Sequence, residues 1–204
     1  MKKYIVTLLV SVLAVTAAFA NSVTITWENN HSPTGGEFVM TPSVGLPFNT
    51  FCLEMNQYIT VGNTYSYTIG NSTDGGVSGG PDPISIGTAW LYSNFRNGTL
   101  NGFTGTEQQQ EQLQNSFWYL ENETTDSSAT GNYISLTQAA LPSVNLFSDA
   151  NGAYGVDVWN LFDNSGAQCQ SQLGIERVPD GGSTLLLGFI GCFAVVGFRK
   201  FSIA

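Results

Sequence analysis

Thr106-Glu107-Gln108-Gln109-Gln110-Glu111-Gln112-Leu113-Gln114-Asn115-Ser116-Phe117-Trp118-Tyr119-Leu120 is the stretch on which the fold class turns. Thr106 with Gln109 three residues on fits a capping box, in which hydroxyl and carboxamide each satisfy the other residue's main-chain N–H. Leu113, Phe117, Trp118 and Leu120 then follow at helical spacing. This is a helix in a chain whose other apolar runs are short and punctuated by Gly, Asn and Pro. Upstream, Ile86, Trp90 and, with some drift, Phe95 mark the apolar face of another helix over 84–95, which Asn97-Gly98 stops. Further out the period changes to two. Val23-Thr24-Ile25-Thr26-Trp27 reads as a strand, and 37–40, 49–54, 58–61 and 64–69 are further candidates, with 73–83 a glycine-rich loop. Beyond the helices, 133–141 fits helix or strand equally. Residues 154–162 read as a late strand, with 167–173 its partner across Asp163-Asn164-Ser165-Gly166. The expected fold is α+β: a β-sandwich or open β-barrel with a helical insertion between residues 84 and 121.

The composition narrows the function. Across 204 residues, 15 acidic side chains against 6 basic ones give a formal net charge of −9, which argues against binding to phosphate backbones and excludes nucleic acid from the expected partners. Hydrophobic residues make up 42% of the chain and can fill a core, while 10% charged and 12% aromatic residues suit a secreted β-rich protein. Three cysteines and one histidine leave too few ligands for structural zinc, and no cofactor is implied.

Both ends read as processing signals. Lys2 and Lys3 precede an apolar run from Ile5 to Phe19 that closes with Ala18-Phe19-Ala20, the anatomy of a cleaved secretory signal over residues 1–20. Near the other end, residues 183–198 form an uncharged, mostly apolar run followed by Arg199 and Lys200. As a helix it would reach ~24 Å, short of the roughly 30 Å hydrocarbon core, which suits a transient membrane handle better than a permanent span. The run is preceded by Val178-Pro179-Asp180-Gly181-Gly182. Turn motif, apolar segment and basic pair together resemble the PEP-CTERM class of sorting signals in its V-P-D-x-G form. That resemblance implies secretion, transient inner-membrane insertion of 183–198, and removal of the 178–204 segment by an exosortase-type protease. An ordinary C-terminal membrane anchor is the alternative. Between the ends lie residues 21–177, enough for one domain. There, Arg96 and Arg177 face fourteen acidic residues, for a net charge of −12.

Cys52 lies in Phe51-Cys52-Leu53-Glu54 on an expected strand, and Gln114 lies in Leu113-Gln114-Asn115-Ser116-Phe117-Trp118 on the second helix. The pair resembles the two halves of the thioester domains of bacterial surface adhesins. Carried over, the resemblance implies an internal thioester between the Cys52 sulfur and the Gln114 side-chain carbonyl that captures an amine-bearing surface or matrix target, without enzymatic turnover. A thiolate is the strongest side-chain nucleophile near neutral pH, and loss of ammonia stores the glutamine as an activated acyl group. Phe51, Phe117 and Trp118 are expected to exclude water. Glu54, two residues along the strand and so on the same face as Cys52, is expected to handle protons.

Cys169 offers a different outcome. In an oxidising compartment a Cys52–Cys169 disulfide is worth about 4 to 5 kcal/mol by chain entropy, and would leave a non-covalent carbohydrate- or matrix-binding module. A hydrolase is the third reading and requires carboxylates drawn from Glu54, Glu121, Glu123 and Asp157 to converge. His31 reads as a turn residue, and neither 149–152 nor 163–166 completes a calcium loop. Trp27, Trp90, Trp118 and Trp159 can stack on sugars, although most such positions belong to a core.

Overall fold

The structure, a computed structural model, describes residues 21–29, 36–75 and 81–175. The expected signal and sorting segments, including Val178–Gly182 and the 183–198 run, lie outside the described residues, as does His31. In chain order the strands β1 (Ser22–Trp27), β2 (Phe38–Pro42), β3 (Phe48–Thr50) and β4 (Thr64–Gly70) come first, then the short β5 (Ser72–Thr73) and β6 (Asp82–Pro83). The helices α1 (Ile86–Arg96), α2 (Glu107–Leu120) and α3 (Tyr133–Ala140) follow, and β7 (Asp157–Phe162) and β8 (Gln172–Gly174) close the fold.

Six strands form one antiparallel sheet in the order β3-β2-β1-β4-β7-β8. Its two edges then meet. Past Thr50 the chain runs along β8, with the Leu53 N–H donating to Ser171 O (3.0 Å) and the Leu173 N–H to Phe51 O (3.0 Å), and Cys52 bridges Gln172 in antiparallel register. The fold is α+β with a nearly closed barrel, and residues 51–53 and 171–173 are its seam. Closure leaves few unpaired main-chain groups at an otherwise open edge.

Strand alternation sends neighbouring seam residues to opposite sides. Cys52 joins Val23, Ile25, Met40, Tyr65 and Leu161 in one buried cluster. Phe51, Leu53 and Leu173 join Leu91, Leu113 and Phe117 in a second, between sheet and helices. Gly87 lets α1 approach α2, since a Cβ there would stand 2.8 Å from the Leu120 side chain.

The capping box forms as expected, with Thr106 Oγ1 accepting from the Gln109 N–H (3.3 Å). Gly98, at φ +67°, follows the Asn97 cap of α1. Elsewhere the sequence reading needs correction. Residues 58–61 form no strand, and Tyr58 stands 79% exposed. The segment 133–141 is helical, so the helical layer extends beyond 121 to Ala140. The late strand begins at Asp157, because residues 153–155 make a 3-10 turn with Tyr154 at φ +61°. In α1 the fully buried face is Gly87, Thr88, Ala89, Leu91 and Tyr92, while Ile86, Trp90 and Phe95 lie on its half-buried flank. Small residues there allow close helix contact, which a search for large apolar side chains overlooks.

Candidate functional site

The seam's hydrogen bonds flank Cys52 and Gln172 rather than joining them, which makes these two a non-hydrogen-bonded antiparallel pair. Side chains of such a pair stand closest, and the pair's own N–H and C=O groups point away from the partner strand. Those of Cys52 need another partner, and α2 supplies it. Helical spacing places Gln110, Leu113, Gln114, Phe117 and Trp118 on one buried stripe. From this stripe the Gln114 carboxamide reaches the seam, its Oε1 accepting from the Cys52 N–H (2.9 Å) and its Nε2 donating to the Cys52 C=O (2.8 Å). The side-chain amide thus substitutes for a neighbouring strand, and the strand-then-helix halves recognised in the sequence come together.

Around the sulfur the chemistry is that of a buried, neutral thiol. Burial pushes the Cys52 thiol up to about 12, with a hydrogen bond from Gln172 acting the other way and the Glu54 charge adding to the rise. The Gln172 Nε2 donates to Cys52 Sγ at 3.3 Å. Glu54 is buried too, and its Oε2 accepts from the Ser171 N–H at 2.7 Å while its Oε1 has no hydrogen-bond partner. Burial raises the Glu54 carboxyl, against the pull of the Ser171 hydrogen bonds. A buried carboxylate with spare acceptor capacity, felt electrostatically at the thiol, is able to accept and return a proton.

One wall of a cavity of ≈ 490 Å³ is formed by Cys52, with Trp27, Phe38, Tyr58, Trp118 and Gln170 among the other walls. Trp27 and Phe38 stack at 4.7 Å between ring centroids. Of the three aromatics expected to exclude water, only Trp118 is on the sulfur's side, where its buried indole N–H has no partner. Phe51 and Phe117, 5.2 Å apart, lie in the other cluster and support the seam from behind. The expected strand over 49–54 ends at Thr50 and continues only as the single bridge at Cys52, but the backbone stays extended there, so Phe51 faces the opposite way from its neighbour Cys52.

Cys169 is half-buried with its Sγ 3.7 Å from Ala167 O, and both it and Cys52 are free thiols. The carboxylates considered for a hydrolase have separate local settings. Glu121 accepts from the Ser85 N–H (3.0 Å), Glu123 from the Met55 N–H (2.9 Å), and Asp157 lies on β7 opposite Gly174. Glu123 and Glu54 do adjoin electrostatically. Asp163 uses its Oδ1 to accept from the N–H groups of Ser165 and Ala167, turn chemistry as expected. Among the described residues no group of three or more His, Cys, Asp or Glu is placed to hold a metal.

Sequence reading missed Gln170, Ser171 and Gln172. The segment's strand tendency was visible, but only barrel closure sets its register against Cys52. Comparison with protein-family models, curated proteins and solved structures returned no match.

Proposed function

We propose that this protein is a secreted surface or extracellular-matrix binding protein that captures an amine-bearing target through a Cys52–Gln114 thioester. The observation that supports the reading is the two-point clamp of the Gln114 carboxamide on the Cys52 main chain, which brings the acyl donor to the residue that carries the nucleophile. In the forming step the Cys52 sulfur bonds to the Gln114 side-chain carbonyl carbon and the C–N bond breaks. The thiol proton leaves with the amide nitrogen as ammonia, with Glu54 as relay. In the capture step a target amine bonds to that carbon, the C–S bond breaks, and the Cys52 thiol is restored. The ≈ 490 Å³ cavity gives the amine a route to the sulfur side.

Intact mass of the purified mature domain tests this, because the thioester lowers the mass by one ammonia and methylamine then adds at Gln114. A full-length mass with no methylamine adduct overturns it. The aromatic cavity walls favour a second reading, a non-covalent carbohydrate- or matrix-binding module, which that outcome would leave standing. A Cys52–Cys169 disulfide, which the two free thiols of the structure do not make, would instead lower the mass by two hydrogens.

Delivery to the surface belongs to the same proposal. The signal over 1–20 hands the chain to the secretion machinery, and an exosortase-type protease cleaves next to Val178–Gly182. Mapping the C-terminal peptide of native material tests this, and recovery of Arg199 and Lys200 on surface protein would establish an anchor instead.

A further inference from the structure

Cys52 meets two carboxamides, and the thioester reading uses only one. The second, from Gln172, belongs to a fully buried side chain. Its Nε2 is 3.3 Å from Cys52 Sγ and its Oε1 faces the Thr50 hydroxyl at 3.5 Å, while that hydroxyl also donates to Leu173 O. The side chain is thus tied through its amide nitrogen, and the non-hydrogen-bonded register of the seam holds it against the sulfur.

Both steps of the proposed chemistry place negative charge on this sulfur. It is the attacking thiolate when the thioester forms and the departing thiolate when an amine takes its place. Among the described residues no cation lies on the seam: the one basic side chain, Arg96, is over the Phe48 ring. The nearby carboxylate is Glu54, which opposes thiolate formation, with Glu123 beyond it at the Met55 N–H raising Glu54 in turn. Tyr65, Tyr67 and Cys169 are the other titratable side chains of the cluster, and burial raises the Tyr67 hydroxyl and the Cys169 thiol. A neutral N–H donor fixed on the sulfur is the remaining means of stabilising that charge, and preorganised donors at a developing anion act without reorganisation.

We infer that Gln172 is a catalytic hydrogen-bond donor to the Cys52 sulfur, stabilising the thiolate as it attacks Gln114 and as it leaves during amine capture. This rests on the thioester reading for its role in capture, but not for the donor contact itself. Gln172 transfers no atom: its N–H strengthens its bond to sulfur as the C–S bond breaks, and the thiolate then takes the proton that the added amine nitrogen sheds on becoming an amide.

The test separates the two ideas. In a Gln114→Ala background Cys52 stays a free thiol whatever its native chemistry, and its alkylation by iodoacetamide is followed by mass against pH. Adding Gln172→Met, similar in size but without a donor, should move the alkylation profile to higher pH and slow the reaction at fixed pH by roughly tenfold, the size expected for one hydrogen bond to a charged group. In the otherwise native chain, Gln172→Met should slow methylamine capture by about the same factor. Gln172→Asn, which withdraws the amide while staying polar, serves if the methionine variant does not fold, and near-ultraviolet circular dichroism checks both.

An unchanged pH profile with an unchanged capture rate overturns the inference, because a merely structural glutamine would alter stability and leave both alone. A cross-link mapped from Cys52 to Gln172 also overturns it by making Gln172 the acyl donor. Wild-type protein that has lost no ammonia overturns the thioester reading, while the alkylation profile still decides the donor contact.

Discussion

Two buried carboxylates, Glu37 and Glu54, occupy regions that differ in what surrounds them. Glu37 has donors on both oxygens, Asn49 Nδ2 on Oε1 and Gln110 Nε2 on Oε2, and the Arg96 charge offsets part of its burial. Glu54 has the Ser171 N–H on one oxygen and no hydrogen-bond partner on the other, and its neighbour in charge, Glu123, is acidic. In both, burial is the main cause of a raised carboxyl. The difference teaches that a satisfied buried carboxyl ties elements together, here β2, β3 and α2, whereas one with an idle oxygen beside a thiol keeps capacity for proton transfer.

The most severe way to break the comparison removes the seam chemistry outright. Cys52→Ala and Gln114→Ala should each abolish the methylamine adduct in intact-mass measurements. Gln114→Ala should also cost about 2 to 3 kcal/mol in urea unfolding, because it leaves the buried N–H and C=O of Cys52 without their partner. A Gln114→Ala protein that still forms an adduct would move the acyl donor elsewhere.

Exchanging each carboxylate for its amide sharpens the contrast. Glu54→Gln should slow adduct formation by roughly a hundredfold, in the range of general acid–base contributions, while stability at pH 7.5 holds or rises because a buried charge is gone. Glu37→Gln should leave the adduct unaltered and cost about 1 to 2 kcal/mol, since an NH2 would then meet the Asn49 or Gln110 donor. Paired rate and urea measurements on the two variants decide it, and a reversed pattern would erase the distinction.

Glu121, outside both regions, sets the pH scale. Burial pushes it up to about 7 from an ordinary carboxylate value of 4.5, so the folded state holds the proton more tightly than the unfolded state. Its contribution is present below the unfolded value and is lost as pH rises from 4.5 to about 7. Raised Glu37 and Glu54 act in the same sense. Urea midpoints should therefore fall over this window, with Glu121 responsible for on the order of 2 kcal/mol, and Glu121→Gln should flatten the slope.

The smallest effect is expected at the other cysteine. Cys169→Ala should leave the adduct intact and change stability by no more than about 1 kcal/mol, because its half-buried sulfur contacts only Ala167 O as a hydrogen-bond partner. Loss of the adduct in that variant would tie Cys169 to the acyl chemistry.

Local chemistry wrote part of this protein legibly. The Thr106–Gln109 capping box, the Asn97-Gly98 stop and the alternation of Val23 to Trp27 depend on neighbours within a few residues, and each appears in the structure. Cys52 and Gln114 were legible as candidates for the same reason, one on a strand and the other on a helix with a fixed register. The loop at 58–61 was misread because its Ile and Val look like strand residues, yet they pack partly against the barrel cluster without a neighbouring strand to pair with. Only the tertiary structure decided the closure of the sheet. A side-chain period of two gives each strand its faces but says nothing of which residue on a distant strand stands opposite. Closure put Gln172 against the Cys52 sulfur and turned the main-chain groups of Cys52 toward Gln114. Local sequence thus sets most of the elements and the candidate residue types, while the register of the seam, a long-range property held by hydrogen bonding and packing across 120 residues, decides which of them meet.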